Sequence, residues 1–502
     1  MNAFPLYRRA PLKPQSVSRE ALKDHATELL SAGNRLAMIA CHDDGEQLRV
    51  VYTFADDAPG QIRELVVHVP CDDAWIPSLA AVSFPAGNFE REMRGLFGLR
   101  PVDHPQPHRL VRHGHWPRGW YPMRHDAILH PAFEADTESF PFLEVEGPGV
   151  YEIAVGPIHA GIIEPGHFRF SVVGETIIRM EARQWYMHRG VEKLFEARHP
   201  KDGIELAEAV AGDSAVGHGL AYVMAVEDAL QIEVSETHRL QRALLLELER
   251  LYNHVTDLGA LANDAGFGIV NSHTSLLRET LLRINKGVTG HRLLRGALSI
   301  GGTALLTLPD QKDLKNIADG VADIVAVTLD HSIVRDRFTG TAQLPTSQAV
   351  SLGALGPVAR ASGISKDARL QHPFIDLGDA FHIVTETDGD VLARYLVRAR
   401  EVAVSVAIAD GLIDRICRNP NKTVQPPKAV APGAGLGVVE GWRGTICHRV
   451  ELDRNGSLSR VKIVDPSFFN WPALPIALTD TIVPDFPLTN KSFNLSYSGN
   501  DL

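Results

Sequence analysis

Residues 237–261 have the sequence THRLQRALLLELERLYNHVTDLGAL. Within it, apolar side chains recur every three or four positions, at Leu240, Leu244, Leu248, Leu251, Val255 and Leu258. This spacing places them on one face of an α-helix, so the stretch predicts a long core helix. A second stripe on the same helix carries Glu247, Arg250, His254 and Asp257. That stripe is either a solvated charged face or a buried polar lining of a site, and the pattern alone leaves both open.

The chain around this helix is predicted to be an α+β protein whose larger part is mainly helical. Helical patterns continue from about residue 184 to residue 418. Strands are expected before and after them, at 151–155, 168–173, 175–180, 440–447 and 460–464. The Pro- and Gly-rich residues 419–437 predict a long loop. Its Gly433-x-Gly435-x-Gly437 motif is not a dinucleotide fingerprint, because a Pro-rich loop rather than a strand precedes it.

A smaller α/β domain is predicted at the N-terminus. Ser18 is expected to cap a helix over 18–32, and apolar patterns predict three strands, at 36–41, 48–54 and 62–69. A following loop rich in Pro, His and Trp, 101–133, predicts a linker or a docking arm. The predicted domain boundaries are 1–126 for this domain, 127–149 for a linker, and 150–502 for the mainly helical domain, which opens with a β-hairpin sheet.

The composition is that of an ordinary globular protein. Of 502 residues, 44% are hydrophobic and 22% are charged, and the net charge of −11 gives no support to nucleic-acid binding. No run of about 18 apolar residues predicts a transmembrane helix, and the first residues show no signal-peptide pattern. A cytoplasmic location is therefore expected, with any membrane role acting through partner subunits. The four cysteines, Cys41, Cys71, Cys417 and Cys447, are too far apart to form a zinc or iron–sulfur motif.

Several motifs of the N-terminal domain resemble one protein family. They are Asn88-Phe89-Glu90-Arg91-Glu92, Gly95-Leu96-Phe97-Gly98-Leu99, His104-Pro105 and Tyr121-Pro122-Met123-Arg124. Together they look like the accessory subunit of respiratory complex I that packs against the large subunit of that complex. The resemblance implies that this domain packs against the rest of the chain.

The motifs of the second domain extend the resemblance over nearly the whole chain. They are Gly156-Pro157-Ile158-His159, Glu164-Pro165-Gly166-His167-Phe168-Arg169, His188-Arg189-Gly190-Val191, Gly356-Pro357-Val358-Ala359-Arg360, Trp442-Arg443-Gly444 and Asp465-Pro466-Ser467. In this order they resemble the large subunit of complex I and of formate-hydrogenlyase-type, energy-converting nickel–iron hydrogenases. The resemblance implies the hydrogenase large-subunit fold and a place in an oxidoreductase complex of the membrane.

The positions of the four metal-binding cysteines in such hydrogenases carry other residues here. The resemblance places the first pair at Ala211 and Ser214 and the second pair at Ser496 and Gly499. Nickel and iron in this scaffold need thiolates, because soft sulfur ligands hold these redox metals. The sequence therefore predicts no nickel–iron centre, and no cofactor bound by this chain itself.

Complex I uses the same cavity to bind a quinone headgroup, and that pattern is also incomplete. The resemblance implies a histidine on the first hairpin and a tyrosine on a helix. The tyrosine position falls near Gly212, and the histidine position falls near Pro165. The chain thus matches neither functional pattern fully, and a quinone stays one possible acceptor among small molecules.

Five residues are candidates for a proton or acceptor site. Glu164 stands where the resemblance implies a glutamate that relays protons, and a carboxylate in a water-poor site has a raised pKa that suits this role. The alternative is a hairpin carboxylate bound by backbone donors. His159 and His167 are candidates for donors to a headgroup or are structural. Asp213 and His218 are candidates for a polar proton path or are the remnant of an older cavity.

Two functions from different classes follow from the resemblance. The first is a subunit that passes electrons from an iron–sulfur small subunit to a quinone or another small acceptor, coupled to ion translocation, without nickel and iron. The second is a non-catalytic scaffold or coupling subunit. Both imply polytopic, antiporter-like membrane subunits as partners, and a peripheral position on the inner face of the cell membrane.

Overall fold

The computed structural model describes residues 12–55, 60–133, 135, 140–419 and 433–502. Its N-terminal part consists of β1 Gln15–Ser16, α1 Leu22–Ser31, β2 Arg35–Asp43, β3 Gln47–Ala55, β4 Ile62–Pro70, β5 Trp75–Pro77, α2 Phe84–Phe97 and β6 Arg100–Val102. One sheet has the strand order β1-β4-β3-β2, and β5 pairs with β6. The three predicted strands are confirmed. The predicted helix begins four residues later than expected, because Ser18 accepts a hydrogen bond from Ala21 outside the helix.

The second part opens with a three-stranded antiparallel sheet, as the sequence predicted. Its strands are β7 Val150–Val155, β8 His167–Val173 and β9 Thr176–Arg183. Between β6 and β7, the described residues contain no helix or strand, which is where the linker is predicted. Phe168 and Phe170 on β8 are buried against the C-terminal tail, so this sheet is fixed by the last residues of the chain.

Helices then dominate up to residue 418. They are α3 Val191–Leu194, α4 Gly203–Glu208, α5 Ala215–Leu230, α6 Glu236–Asp264, α7 Gly268–Thr289, α8 Gln311–Asp330, α9 Ser332–Phe338, α10 Thr346–Leu352, α11 Gly356–Ala361, α12 Ala368–Gln371 and α13 Val391–Arg418, with the short strands β10 Leu298–Ser299 and β11 Gly302–Thr303 before α8. The helix α6 packs against α7 and α13, and every residue of its predicted apolar face is fully buried.

The polar stripe of α6 is also buried. Glu247, Arg250, His254 and Asp257 are each at most 1% exposed. The interpretation as a solvated face is therefore wrong, and the stripe lies inside the protein. Charged groups are rarely buried unless they are paired, so each of these side chains needs a partner from another element.

The C-terminal part contains β12 Gly433–Gly441, β13 Gly444–Leu452, β14 Leu458–Val464, α14 Pro466–Asn470, α15 Ala473–Leu478, α16 Phe486–Phe493 and α17 Tyr497–Asp501. The predicted strand 440–447 is wrong in one respect, because it includes the turn between β12 and β13. The loop predicted over 419–437 falls mostly outside the described residues. Within it, 433–437 belong to β12, so the loop prediction is wrong there.

The glycines of β12 have a packing role. A side chain at Gly433, Gly435 or Gly437 would collide with the backbone of α5 at Ala229, Ala225 and Ala221, respectively. Two residues of a strand and four residues of a helix both advance by about 6 Å, so alternate glycines meet successive turns of the helix. The Gly-x-Gly-x-Gly pattern thus marks close helix–strand packing.

The N-terminal domain is joined to the C-terminal sheet by apolar contacts and buried ion pairs. Phe89 of α2 stacks on Phe468, with ring centroids 4.5 Å apart. Nearby, Lys462 of β14 lies 2.7 Å from Glu92, and Arg449 of β13 lies 2.9 Å from Glu64. Within the described ranges, no helix combines the length and apolar composition that a membrane crossing requires.

Candidate functional site

The first segment of the site, residues 210–218, leads into the N-terminus of α5. Ala211 and Ser214 are buried, and Ser214 is the residue that precedes the helix. Glu249 of α6 accepts hydrogen bonds from the amides of Val216 and Gly217, at 2.6 and 3.0 Å. Burial raises the pKa of Glu249 to about 8 although both amides act to lower it. A neutral carboxyl group at pH 7 therefore anchors the start of α5.

The second segment, residues 494–501, contains α17 and closes the chain. The hydroxyl of Ser496 accepts the amide of Gly499 at 2.9 Å and so caps this short helix. The amide of Ser496 in turn donates to the hydroxyl of Ser467, also at 2.9 Å. A Cβ atom on Gly499 would lie 2.6 Å from a carboxylate oxygen of Asp465. The glycine therefore leaves the space that Asp465 occupies.

Two arginines tie the segments together. Arg443 donates two hydrogen bonds to the carboxylate of Asp213, at 2.6 and 2.7 Å, and a third to the carbonyl of Asn494, at 2.6 Å. Arg189 donates to the carbonyls of Val210 and Ser498, at 2.8 and 3.2 Å. Bidentate pairs of arginine with carboxylate are strong and directional. The two guanidinium groups therefore fix the position of the first segment relative to the second.

A histidine pair lies beside this junction. His218 is fully buried, and its two ring nitrogens lie 3.0 Å from Asp465 and 3.0 Å from His448. Burial lowers the pKa of His448 well below its usual value, so His448 is neutral. Burial acts to raise the pKa of Asp465, but the hydrogen bond and charge of His218, with Arg443 and Ser467, together lower it. Asp465 is thus a carboxylate that accepts a proton-bearing nitrogen of His218.

Glu164 is the hairpin residue that meets the second segment. Its carboxylate accepts the amide of Ser498 at 2.9 Å, and it is half-buried. The other hairpin candidates bind within the hairpin, since His159 lies 2.8 Å from the carbonyl of Gly166 and His167 lies 3.3 Å from the carbonyl of Gly156. The structure therefore brings together Glu164, Asp213 and His218 around the two segments. His159 and His167 each direct one ring nitrogen toward a carbonyl group of the hairpin itself.

The buried stripe of α6 leads into the same region. Glu247 binds Ser405 and Arg369, and His254 lies 2.7 Å from Glu401. At the near end, Asp257 accepts the side-chain amide of Asn494 at 2.7 Å. The stripe is thus continuous with the second segment, and its partners include residues distant in sequence, although Arg250 also pairs with Glu247 on the same helix.

Four residues of this region were not predicted as site residues from the sequence: Glu249, His448, Arg443 and Asp465. Arg443 lies in the motif Trp442-Arg443-Gly444 and Asp465 in the motif Asp465-Pro466-Ser467, so the sequence did contain a signal for these two residues. Glu249 lies among several charged residues of α6, and His448 is a single histidine in a strand. Neither of the latter two carried a sequence signal that separates it from an ordinary core residue.

Three family models match the chain in succession. The model of the respiratory-chain NADH dehydrogenase 30 Kd subunit matches residues 15–132, that of nickel-dependent hydrogenase matches 189–262, and that of the respiratory-chain NADH dehydrogenase 49 Kd subunit matches 264–501. Formate hydrogenlyase subunit 5 of Escherichia coli (strain K12) is 33% identical over 423 residues, which cover 82% of this chain and 74% of that protein. The chain belongs to the large-subunit family shared by complex I and membrane-bound hydrogenases.

Two further proteins similar to this chain support the same assignment. The fused C/D polypeptide of NADH-quinone oxidoreductase from Phocaeicola vulgatus is 31% identical over 432 residues, covering 80% of this chain and 82% of that protein. A chain of the membrane-bound sulfane sulfur reductase, an archaeal respiratory membrane complex, has a TM-score of 0.66 and 25% identity, covering 70% of this chain and 99% of that chain. The predicted family and the α+β fold are confirmed.

The residues of this family member do not fit a nickel–iron centre. Ala211 and Gly499 offer no ligand atom, and Ser214 and Ser496 offer hydroxyls that already take part in hydrogen bonds. A thiolate at position 499 would displace Asp465. In the described part of the chain, no three His, Cys, Asp or Glu side chains are arranged to hold a metal ion. The junction is closed by arginine–carboxylate and hydroxyl–amide bonds instead.

Proposed function

We propose that this protein is the large subunit of a complex I-like membrane complex that passes electrons from an iron–sulfur partner to a small acceptor without nickel and iron. The observation that supports the proposal is the junction of Arg443 with Asp213 and Asn494, which joins the two segments through side-chain hydrogen bonds. A quinone is one acceptor of this class. In the proposed assembly, polytopic membrane subunits couple the reaction to ion translocation.

Reduction of such an acceptor by two electrons consumes protons, and the site contains groups that supply them. Glu164 is half-buried beside Ser498, and the side chain of Asp213 is 41% exposed next to Arg443. Behind them, His218 bridges Asp465 and His448. A carboxylate at the solvent edge can take up a proton and deliver it to a bound acceptor. Glu164 is the residue assigned to that step.

The proposed membrane partners are supported by the tip of the first hairpin. Ile158, Ile162 and Ile163 lie on one short loop and are 86%, 100% and 53% exposed, respectively. Contiguous exposed apolar side chains mark interaction sites. This loop is adjacent to Glu164, so a membrane protein that covered it would also exclude water from the site.

A specific observation also supports a non-catalytic coupling subunit. The hydroxyls of Ser214 and Ser496 and the carboxylate of Asp213 all have hydrogen-bond partners within the chain. Because these polar groups bind partners within the chain, they need no bound acceptor to satisfy them. In this second function the chain would transmit a conformational change between partners and would carry no electrons.

The two functions differ in the effect of Glu164→Gln. In the purified complex, the partner cluster is reduced with dithionite, and its reoxidation by decyl-ubiquinone or by polysulfide is followed by electron paramagnetic resonance. Glutamine keeps the shape of glutamate but does not titrate, so we expect reoxidation to slow by about tenfold or more while the subunits stay assembled.

Glu175→Gln is the matched control, because Glu175 is exposed on the turn after β8. Its complex should reoxidise at the wild-type rate. Equal rates for Glu164→Gln and wild type, or no reoxidation in any variant, would contradict the electron-transfer function and favour the coupling function. Elemental analysis of the same preparation should give no stoichiometric nickel, and one nickel atom per chain would contradict both.

A further inference from the structure

A buried amide group lies behind the candidate site, directly after β9. Gln184 is 2% exposed, and among the described residues neither its amide oxygen nor its amide nitrogen has a hydrogen-bond partner. The hydroxyl of Tyr497, in α17, is also buried without such a partner in the described part of the chain. Buried polar groups normally bind one another or an ordered water molecule. Three such atoms in one region therefore require a common explanation.

The two side chains are neighbours at the backbone of the first hairpin. A Cβ atom on Gly166 would lie 2.5 Å from the ring of Tyr497 and 3.0 Å from the amide oxygen of Gln184. Because both side chains reach the same point, a molecule of the size of water can contact both. A buried water typically makes about three hydrogen bonds. The amide nitrogen, the amide oxygen and the hydroxyl offer the donors and acceptors that such a water needs.

A carboxylate lies on each side of this pair of side chains. Glu164 accepts the amide of Ser498, the residue that follows Tyr497, at 2.9 Å. Asp501 accepts the amide of Met187, on the segment that follows β9, also at 2.9 Å. The buried polar pair thus lies between a half-buried carboxylate on the hairpin and a buried carboxylate at the end of the chain.

The electrostatic environment of Tyr497 is consistent with this arrangement. Burial raises the pKa of Tyr497 to about 12, and the charges of Glu164 and Asp501 act in the same direction, whereas the nearby side chain of Asn490 acts to lower it. The hydroxyl therefore keeps its proton at neutral pH while it faces two carboxylates. A neutral hydroxyl in this position can orient a water molecule without taking up charge.

The proposed reaction needs an internal source of protons. Reduction of a quinone to a quinol takes up two protons, and Glu164 carries one at a time. A partner that covers the hairpin tip would also keep solvent away from Glu164 during the reaction. Burial raises the pKa of Asp501 to about 6, although Arg183 nearby acts to lower it, and His188 lies 2.8 Å from the backbone carbonyl of Asp501. Asp501 therefore carries a proton in part of the molecules near neutral pH.

We propose that Gln184 and Tyr497 bind one internal water molecule, and that this water passes a proton from Asp501 to Glu164. The inference rests on the proposed electron-transfer function. The carboxyl group of Asp501 gives its proton to the water, and the water gives one of its own protons to the carboxylate of Glu164. No electron moves in this step, and the same path in reverse reloads Asp501 from solvent. Gln184 is a positioning residue, because its amide orients the water and does not titrate.

The first experiment detects the water in the full chain and needs no electron transfer. Glutamine is labelled with nitrogen-15, and the side-chain signal of Gln184 is assigned by its loss in Gln184→Met. We expect a rotating-frame Overhauser cross-peak between these amide protons and a bound water. Gln348→Met, at an exposed position of α10, is the control and should leave the cross-peak unchanged. A Gln184 signal without this cross-peak would overturn the proposal.

The second experiment measures turnover of the purified complex with decyl-ubiquinone. Methionine is close to glutamine in size but has no amide, so Gln184→Met should lower kcat by about tenfold and change KM by less than about twofold. The ratio of the rates in H2O and D2O should rise, because proton transfer becomes rate-limiting. Tyr497→Phe removes only the hydroxyl and should act in the same direction, which tests the relay even if Gln184→Met does not assemble. Gln348→Met should behave as the wild type does.

The outcomes separate the relay from the function on which it rests. If the wild-type complex turns over and kcat is unchanged in Gln184→Met and Tyr497→Phe, the relay alone is overturned. A raised KM with an unchanged kcat would also overturn it, because the two side chains would then bind the acceptor itself. If the wild-type complex reduces no acceptor, the electron-transfer function and the relay fail together, and a cross-peak at Gln184 would mark a structural water.

Discussion

Three of the four residues that the resemblance places at ligand positions have a structural role in this chain. Ser214 accepts a hydrogen bond from the indole of Trp442, and Ser496 caps α17. Gly499 has no side chain, and Asp465 uses that space to reach His218. A site that had merely decayed would contain unpaired polar groups, each at a cost of about 1–3 kcal/mol. Ser214 and Ser496 take part in hydrogen bonds of the junction, whereas His448 Nδ1 and Tyr497 Oη beside it are buried without a hydrogen-bond partner.

The role of Gly499 gives the first prediction on stability. A methyl group at this position overlaps the carboxylate of Asp465, so Gly499→Ala should lower the free energy of unfolding by about 1–3 kcal/mol. Asp465 would have to move, and His218 would lose its carboxylate partner. Urea denaturation of the full chain measures the first effect. The chemical shifts of the ring protons of His218, compared between variant and wild type by NMR at one pH, measure the second.

Gly411→Ala is the control for that substitution. Gly411 lies in α13, is exposed, and has open space where a Cβ would stand. Alanine favours a helix over glycine by about 1 kcal/mol, so this change should stabilise the protein. If Gly499→Ala is as stable as the wild type or more stable, the position of Asp465 does not depend on the absence of a side chain at residue 499.

At the scale of elements, the apolar pattern of α6 was sufficient to predict the helix and its core face. It was not sufficient to decide whether the polar stripe is buried, because the partners of the stripe, such as Arg369 and Glu401, are more than a hundred residues away in sequence. The strand β12 was missed for a related reason. Glycine normally indicates a turn, and only contact with α5 explains why Gly435 belongs in a strand.

The same limit applies to the candidate site. The order of the motifs predicted which segments meet, and Glu164 does contact the second segment. The partner of Asp213 was not predictable, because Arg443 belongs to a hairpin whose register follows from the whole β12–β14 sheet. The motifs therefore indicated which segments meet, and long-range packing determined the hydrogen bonds between them.

The contact between α6 and the start of α5 gives a prediction on pH. The pKa of Glu249 is about 8 in the folded protein and near 4.5 in the unfolded chain. Between these values the folded state holds a proton that the unfolded state has released, so stability falls as pH rises from about 5 to 8. The contribution to the slope is at most about 1.4 kcal/mol per pH unit.

Glu249→Gln should remove this contribution, because glutamine does not titrate. The measurement is the free energy of unfolding by urea at several pH values from 5 to 8, for wild type and variant. Glu90 and Asp501 also have raised pKa values, of about 7 and 6, and they contribute equally to both proteins. The difference between the two profiles therefore isolates Glu249. Parallel profiles would show that Glu249 is ionised in the folded protein.

At the scale of the whole molecule, charge pairs determine how the N-terminal domain is attached. Lys462 of β14 contacts Glu92 of α2 at 2.7 Å and Glu192 of α3 at 3.1 Å, and all three side chains are buried. One ammonium group thus joins the accessory-like domain to the large domain. The resemblance implied that two separate subunits correspond to these domains, and the fused chain makes their interface internal.

Removal of that ammonium group gives the last prediction. Lys462→Met keeps the length of the side chain but leaves Glu92 buried without its cation, so unfolding should become easier by about 3 kcal/mol at pH 8. Burial already raises the pKa of Glu92, with Lys462 acting to lower it. In the variant the pKa rises further, so the folded state keeps this proton to a higher pH than the unfolded chain does. The loss of stability should therefore be smaller at pH 5 than at pH 8, as measured by urea denaturation at both values.

Lys23→Met, on the exposed side of α1, should change stability little at either pH. The same loss for Lys462→Met at pH 5 and pH 8 would show that Glu92 does not depend on this ion pair, and that apolar packing around Phe89 attaches the domain.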